Sequence, residues 1–161
     1  MLSGCLKFLL ICASFLSLSV ISSSVAPSVH DLLPQYGLPK GLLPDAVKSY
    51  SLEEDGSFVI ELERPCYVHF ENLAYYEKKI TGKISYGAIS DISGIQAKKF
   101  FIWVSVTGMR IDPPDYVEFE VGPLSEKLSI TQFQKIPTCK SKACSHMQEE
   151  KSANTVAVAE A

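Results

Sequence analysis

Few side chains in this sequence have the spacing that catalysis requires. The segment nearest to the Gly-x-Ser-x-Gly pattern of serine hydrolases is Ser90-Asp91-Ile92-Ser93-Gly94, which has serine in place of the first glycine and isoleucine in place of the central serine. We interpret this segment as a turn. His30 falls in the first turn of a predicted helix, and His69 falls on the polar side of a predicted strand, where such side chains commonly face solvent. The pattern therefore predicts no catalytic residue.

The spacing of possible metal ligands gives an equally weak signal for a metal site. Cys139, Cys144 and His146 lie close together in the sequence, but lysines flank them, and a structural zinc site needs four ligands on ordered backbone. The acidic side chains mostly alternate with apolar neighbours, which is typical of a solvated sheet face rather than of a calcium site. We predict neither a metal ion nor a cofactor.

The aromatic side chains are the feature that most strongly suggests a function. A barrel interior or mouth lined by rings can hold an apolar or amphipathic small molecule. The candidate ligand-binding residues are Trp103, Phe101, Tyr86 and Tyr67. Ordinary core packing of these rings is the alternative interpretation.

The amino-terminal residues predict export. Lys7 precedes an apolar run from Phe8 to Ile21 that ends in three serines, which is the pattern of a secretory signal peptide over residues 1–24. The run is too short for the roughly 20 residues of a membrane-spanning helix. We therefore expect no transmembrane anchor and, by default, release to the extracellular space. Removing residues 1–24 leaves 14 basic and 18 acidic side chains, a formal net charge of −4, so nucleic acid is an unsuitable partner.

Three of the five cysteines remain after cleavage, an odd number in a compartment where disulfides persist. Three cysteines are compatible with one disulfide and one free thiol, or with one intermolecular disulfide. Cys66 falls on the inward face of a predicted strand, and Cys139 ends the predicted domain. We predict that these two pair and that Cys144 stays free.

The remaining pattern predicts one mainly β domain over residues 25–139. Ser28 and Asp31 favour a short helix from Ser28 to Tyr36, and residues 38–44 suit an ordered loop that plugs one end of the fold. Period-two alternation then recurs between glycine and proline turns, including Asp55-Gly56 and Gly94, as in an antiparallel barrel or sandwich. The segment from Lys98 to Thr107 is apolar on both faces and predicts a central, doubly covered strand. The polar composition of residues 140–161 predicts a disordered tail.

Four blocks of sequence together resemble a plant family, the domain of unknown function five-three-eight, also called the smaller-with-variable-branches-like proteins. The blocks are His30-Asp31-Leu32-Leu33 with residues 37–44, Ile80-Thr81-Gly82-Lys83-Ile84, Ser93-Gly94-Ile95 leading to Trp103-Val104, and Phe119-Glu120-Val121-Gly122 ahead of residues 133–139. The resemblance implies a single curled, barrel-like antiparallel sheet with one short N-terminal helix, a fold that has been compared with lipid-binding domains. It also implies links to stress responses and epidermal growth, while pigment binding or hydrolysis has been suggested for the family.

Three functions remain open at this stage. The first is non-catalytic binding of an apolar or amphipathic ligand by a secreted monomer. The second is an interaction or growth-regulatory role in the secretory pathway without a ligand pocket. The third is an esterase-type hydrolase of pigment or lipid, which requires a serine or aspartate beside His69 or His30 in space.

Overall fold

The computed structural model describes residues 27–141. The predicted signal peptide, Cys144 and nearly all of the predicted tail lie outside the described residues. Ser28 begins the first element: its hydroxyl accepts from the backbone N–H of Asp31, and helix α1 spans Val29–Leu32. A 3-10 helix, Leu33–Tyr36, continues it and ends at Gly37, whose φ of 71° is favourable for glycine. The short helix expected from Ser28 to Tyr36 is therefore confirmed, with a 3-10 second half.

Eight strands follow and form one antiparallel sheet. They are β1 (Val47–Leu52), β2 (Ser57–Leu62), β3 (Cys66–His69), β4 (Leu73–Ser85), β5 (Ala88–Lys99), β6 (Ile102–Asp112), β7 (Tyr116–Val121) and β8 (Leu124–Ser129). Their order is β1-β2-β4-β5-β6-β7-β8, with β3 also paired to β4. Strand β4 is long enough to pair with β3 along its first residues and with β2 further on. The expected mainly β fold, with one antiparallel sheet and one short helix, is confirmed, and the sheet remains open between β1 and β8.

The sheet interior is covered by the segment between α1 and β1. A second 3-10 helix, Lys40–Leu42, lies in this segment, and Leu38, Leu42 and Leu43 are buried. The hydroxyl of Tyr76, on β4, donates to the carbonyl of Leu42 at 2.9 Å and so attaches the segment to the sheet. Burial in this apolar setting raises the pKa of the Tyr76 phenol. A third 3-10 helix, Ile130–Phe133, buries Phe133 in the same core.

Two turns expected from the sequence are wrong. Gly94, and the segment Ser90–Gly94 that contains it, lie within β5 rather than between strands. Gly94 has φ of +91°, and a side chain there would collide with the carbonyl oxygen of Lys79 on β4. Asp91 also has a positive φ, of 53°, and the pairing of β5 with its neighbours shifts register in this region. Glycine here serves a close approach of two strands within a bent sheet. The turn at Asp55-Gly56, by contrast, joins β1 to β2 as expected.

The central strand predicted from Lys98 to Thr107 is also wrong. The chain reverses at Phe100 and Phe101, between β5 and β6, and Lys99 pairs with Ile102 across the hairpin. Phe100 has φ of 53°, so a residue other than glycine occupies a left-handed position of this turn. The doubly apolar pattern arises because the bulky side chains lie at a hairpin end and not in a covered strand.

Candidate functional site: the apolar interior of the sheet

Two cavities lie inside the curled sheet. The first has a volume of about 50 Å³ and lies between the helical segment, represented by Val29 and Leu33, and sheet residues that include Ile60, Ile80 and Ile89. Tyr50 supplies the one hydroxyl among its lining residues, and this hydroxyl donates to the carbonyl of Pro27 at 2.8 Å. A water molecule needs two or more polar partners in such a space, so this cavity favours hydrocarbon.

The second cavity has a volume of about 60 Å³ and lies nearer the other end of the interior. Its lining includes Phe70, Phe119 and Phe133. The ring centroid of Phe133 lies 4.8 Å from that of Phe70 and 5.5 Å from that of Phe119. Asn72 and Glu126 add polar atoms to this otherwise apolar wall. The cavity therefore combines an aromatic lining with polar groups.

Those polar groups form a small network. Glu126 accepts a hydrogen bond from the Asn72 amide at 3.0 Å and an ion-pair contact from the Lys99 ammonium. The side chains of Lys99 and Glu126 are each 26% exposed, so the pair reaches solvent. A carboxylate, an ammonium and an amide next to hydrocarbon can orient the polar end of an amphipathic molecule.

Leu42 lies at the boundary of the two cavities. It lines both of them, as do Ile92, Ile95 and Met109 on the sheet. A change in the Leu42 rotamer or a shift of its 3-10 helix would therefore alter the shape of both spaces. The sequence suggested only that residues 38–44 form a plug, because the volumes that side chains leave unfilled have no periodic signal.

The aromatic candidates from the sequence lie elsewhere. None of Trp103, Phe101, Tyr86 and Tyr67 lines either of these two cavities. Tyr75 lies between Ala74 and Tyr76, which do line the second cavity, so Tyr75 points to the opposite face of the sheet. There it groups with Tyr67 at 4.9 Å and with Trp103 at 6.1 Å between ring centroids.

The other two candidates are strongly exposed. Phe101 is 96% exposed at the β5–β6 turn, and Tyr86 is 82% exposed at the β4–β5 turn, where its ring lies against Gly37. The rings that do line the interior are Phe70, Phe119 and Phe133. Phe119 is placed inside by the alternation of β7, and Phe70, directly after β3, continues the alternation of Cys66 and Val68, whereas Phe133, in a short 3-10 helix, has no such signal.

The end of the domain is attached covalently to the sheet. Cys66 and Cys139 form a disulfide with Cα atoms 5.3 Å apart, the pairing expected from the sequence. Next to it, Tyr67 and Lys140 exchange two backbone hydrogen bonds of 3.0 Å. Asp45 accepts from the backbone N–H of Cys139 at 2.8 Å. Cross-linking residues 73 apart stabilises the fold by about 4 kcal/mol in the chain-entropy model.

The residues considered for catalysis have structural partners. The His30 Nδ1 lies 3.1 Å from the carbonyl oxygen of Lys40, and the His69 Nδ1 lies 3.1 Å from that of Phe70. The Ser90 hydroxyl donates to Asp91 at 3.2 Å within β5. Across residues 27–141, no three histidine, cysteine or acidic side chains converge as metal ligands. In the same range, no helix has both the length and the apolar character needed to cross a bilayer.

The fold and interior define a class of protein: an open, curled antiparallel sheet around an apolar core that a helical segment covers. The sequence profile of the family described as "Protein of unknown function, DUF538" matches residues 29–134, so the chain belongs to that family. The resemblance found in the sequence is thereby confirmed.

A similar curated protein is the Arabidopsis thaliana "Uncharacterized protein At5g01610", which is 26% identical over 95 residues. The aligned region covers 57% of this chain and 55% of that protein, so the chain spans about half the length of this relative. No solved structure matches the chain.

Proposed function

We propose that this protein binds an apolar or amphipathic small molecule in the interior of its sheet and does not transform it chemically. The observation that carries the proposal is the first cavity, whose lining offers a ligand almost only hydrocarbon. An unfilled apolar cavity forfeits dispersion contacts on every side, so a hydrocarbon group gains these contacts on entering.

The size of the cavities sets a condition on binding. Sites for drug-sized ligands have volumes of roughly 300 to 1,000 Å³, well above the volumes of about 50 and 60 Å³ seen here. A chain-like ligand must therefore displace Leu42 and run through both cavities. The covering segment permits this because it is a loop with one short 3-10 helix rather than part of the sheet ladder.

The polar network indicates the orientation of such a ligand. An acyl chain in the interior would leave its head group beside Lys99, Asn72 and Glu126 at the end of the second cavity. The ammonium of Lys99 suits a carboxylate or phosphate, while Glu126 and Asn72 suit hydroxyl or amide groups. These groups favour an amphipathic ligand over a purely apolar one.

The signal-peptide pattern of residues 1–24 supports a setting in the secretory pathway or the apoplast for this binding. In such a setting a sparingly water-soluble molecule needs a carrier or a store. The acidic character of the chain gives no support for a nucleic-acid partner.

A fatty acid with intrinsic fluorescence, cis-parinaric acid, tests the proposal when titrated into chain purified from plant tissue. Its emission should rise and saturate on binding. Leu42→Phe fills both cavities and should weaken binding at least tenfold, while Leu124→Phe adds the same ring at a position that is 71% exposed and should not. Ala97→Leu, which fills only the second cavity, covers the case in which Leu42→Phe does not fold.

Saturable binding that Leu42→Phe or Ala97→Leu weakens would support the proposal. The absence of saturable binding, or equal affinity in the interior variants and in Leu124→Phe, would overturn it. Native mass spectrometry of the same preparation adds an independent readout, because a bound small molecule shifts the mass of the folded chain.

A further inference from the structure

The β5–β6 hairpin ends in four consecutive large apolar residues, Phe100, Phe101, Ile102 and Trp103, which we call the hairpin tip. Their exposed fractions are 92%, 96%, 64% and 41%. Isolated exposed apolar residues are ordinary on protein surfaces, but a contiguous group of this size marks a site of interaction. Nothing in the cavities described above uses these side chains.

The hairpin tip projects beyond the neighbouring strands. The last pair between β4 and β5 at this end is Ala74 with Ala97, and the last pair between β6 and β7 is Val106 with Val121. Phe100 lies three residues beyond Ala97, which corresponds to about 10 Å of extended strand. Amphipathic elements bury their apolar faces by about 5 to 10 Å in a membrane interface, so the projection matches the required depth.

The surroundings of the hairpin tip have the layered composition of an interfacial site. Trp103 pairs across the hairpin with Lys98, and its ring packs against Tyr67 and Tyr75 at the base of the tip. Tryptophan and tyrosine rings favour the level of the lipid head groups. Lys98 and Lys99 pair across the hairpin with Trp103 and Ile102, and Lys140 pairs with Tyr67. The carboxylates of this region include Glu126, which is paired with Lys99, Glu71, which accepts from Gln132, and Glu77, which lies near Tyr75. Basic side chains here, on a chain that is acidic overall, complement lipid phosphates.

We propose that the hairpin tip inserts into the surface of a lipid bilayer and docks the protein there reversibly. A bilayer accepts a narrow apolar projection without matching its shape. A stable protein partner, in contrast, requires roughly 800 Å² of complementary surface on each side, with a polar rim. The hairpin tip offers four apolar residues, and Lys98 and Lys99 lie on the opposite arm of the hairpin, which suits the former. Docking also brings the Lys99–Glu126 end of the second cavity close to the membrane surface.

Trp103 reports on this docking directly because it is the only tryptophan of the chain. The chain purified from plant tissue is mixed with vesicles of phosphatidylcholine containing a minor fraction of phosphatidylserine. We expect the Trp103 emission to shift to shorter wavelength and to be quenched by brominated acyl chains. Co-sedimentation with the same vesicles gives the partition coefficient.

The test variant is Phe100→Ser with Phe101→Ser, which should lower the partition coefficient at least tenfold. The matched control is Tyr86→Ser, which removes an exposed ring at the opposite end of β5 and should leave partitioning unchanged. Any retained amino-terminal apolar segment is common to all variants, so the comparison isolates the hairpin tip. Because the phenylalanine side chains are exposed, the thermal midpoint of the double variant should stay close to that of the parent.

Equal partitioning of the double variant and the parent would overturn the proposal, as would an unshifted Trp103 emission in the presence of vesicles. A parent that forms dimers without lipid, and a double variant that is monomeric, would also overturn it, because the hairpin tip would then be a protein interface. The fatty-acid titration with Leu42→Phe is independent of these outcomes.

Discussion

Leu42 is the residue at which the interior of this protein can be tested most sharply. Its side chain is 6% exposed and lies between the two cavities. Replacing it with alanine removes part of the wall that they share and enlarges the void. The sheet floor beneath includes Ile95, which pairs with Tyr76 on β4, so this part of the floor resists collapse into that void.

The size of the expected stability loss follows from this limited relaxation of the sheet. Buried leucine-to-alanine changes cost about 2.7 to 5.0 kcal/mol, and the cost increases with the volume of the residual cavity. Because the new void adjoins two existing ones, we expect Leu42→Ala to lower the free energy of unfolding by about 4 kcal/mol. Leu124→Ala makes the same chemical change at a position that is 71% exposed, and we expect a loss of at most about 0.5 kcal/mol.

Equilibrium unfolding in urea, with the disulfide intact, measures both values. With a slope of about 2 kcal/mol per molar urea, a loss of 4 kcal/mol moves the midpoint by about 2 M. The enlarged hydrocarbon void should also bind benzene and so raise the thermal midpoint of Leu42→Ala alone. A loss below about 1 kcal/mol would refute the placement of Leu42 between the cavities, and so would equal losses in the two variants.

Two further predictions concern the backbone of β5 and the buried phenol. Gly94→Ala should lower the free energy of unfolding in urea by at least about 2 kcal/mol, because the left-handed conformation and a collision with the Lys79 carbonyl both oppose a side chain there. Gly87→Ala, also at positive φ but in open space, should lower it by only about 1 kcal/mol. Equal losses in the two variants would contradict this reasoning. Burial raises the pKa of Tyr76 above its ordinary value of 10.0, so its contribution to stability is complete below pH 10 and is lost as the pH rises beyond it. Urea midpoints measured between pH 8 and pH 11 should therefore fall more steeply for the parent than for Tyr76→Phe, and parallel curves would exclude this role.

Part of the sheet could be predicted from alternation alone, because strands such as β7 have one more buried and one more solvated face. In β7, Val117 and Val121 are buried while Glu118 and Glu120 face outward, and the sequence shows this directly. The hairpin at Phe100 could not be predicted, since its turn contains neither glycine nor proline and its residues have high strand propensity. The large apolar side chains of that segment lie at an exposed hairpin end and are not buried.

The candidate site could be predicted only in part from the sequence, because irregular segments contribute to its walls. A ligand space is the volume that packed side chains leave unfilled, and the position of Leu42 between two such volumes depends on the path of an irregular loop. Phe119 lines the second cavity and was not among the aromatic candidates, although the alternation of β7 indicates its inward position. Phe133 gives no such signal, because its inward orientation is set by a 3-10 helix.

The backbone pairing of Tyr67 with Lys140 has a consequence for solubility. A strand edge with free N–H and C=O groups is a template for strands of other molecules and hence for aggregation. Strand β3 pairs with β4 on one side, and the residue after Cys139 occupies part of its other side. The adjacent Cys66–Cys139 disulfide fixes this cover in place. The bridge therefore protects against self-association as well as stabilising the fold, a role that matters most where concentrated protein meets an oxidising environment.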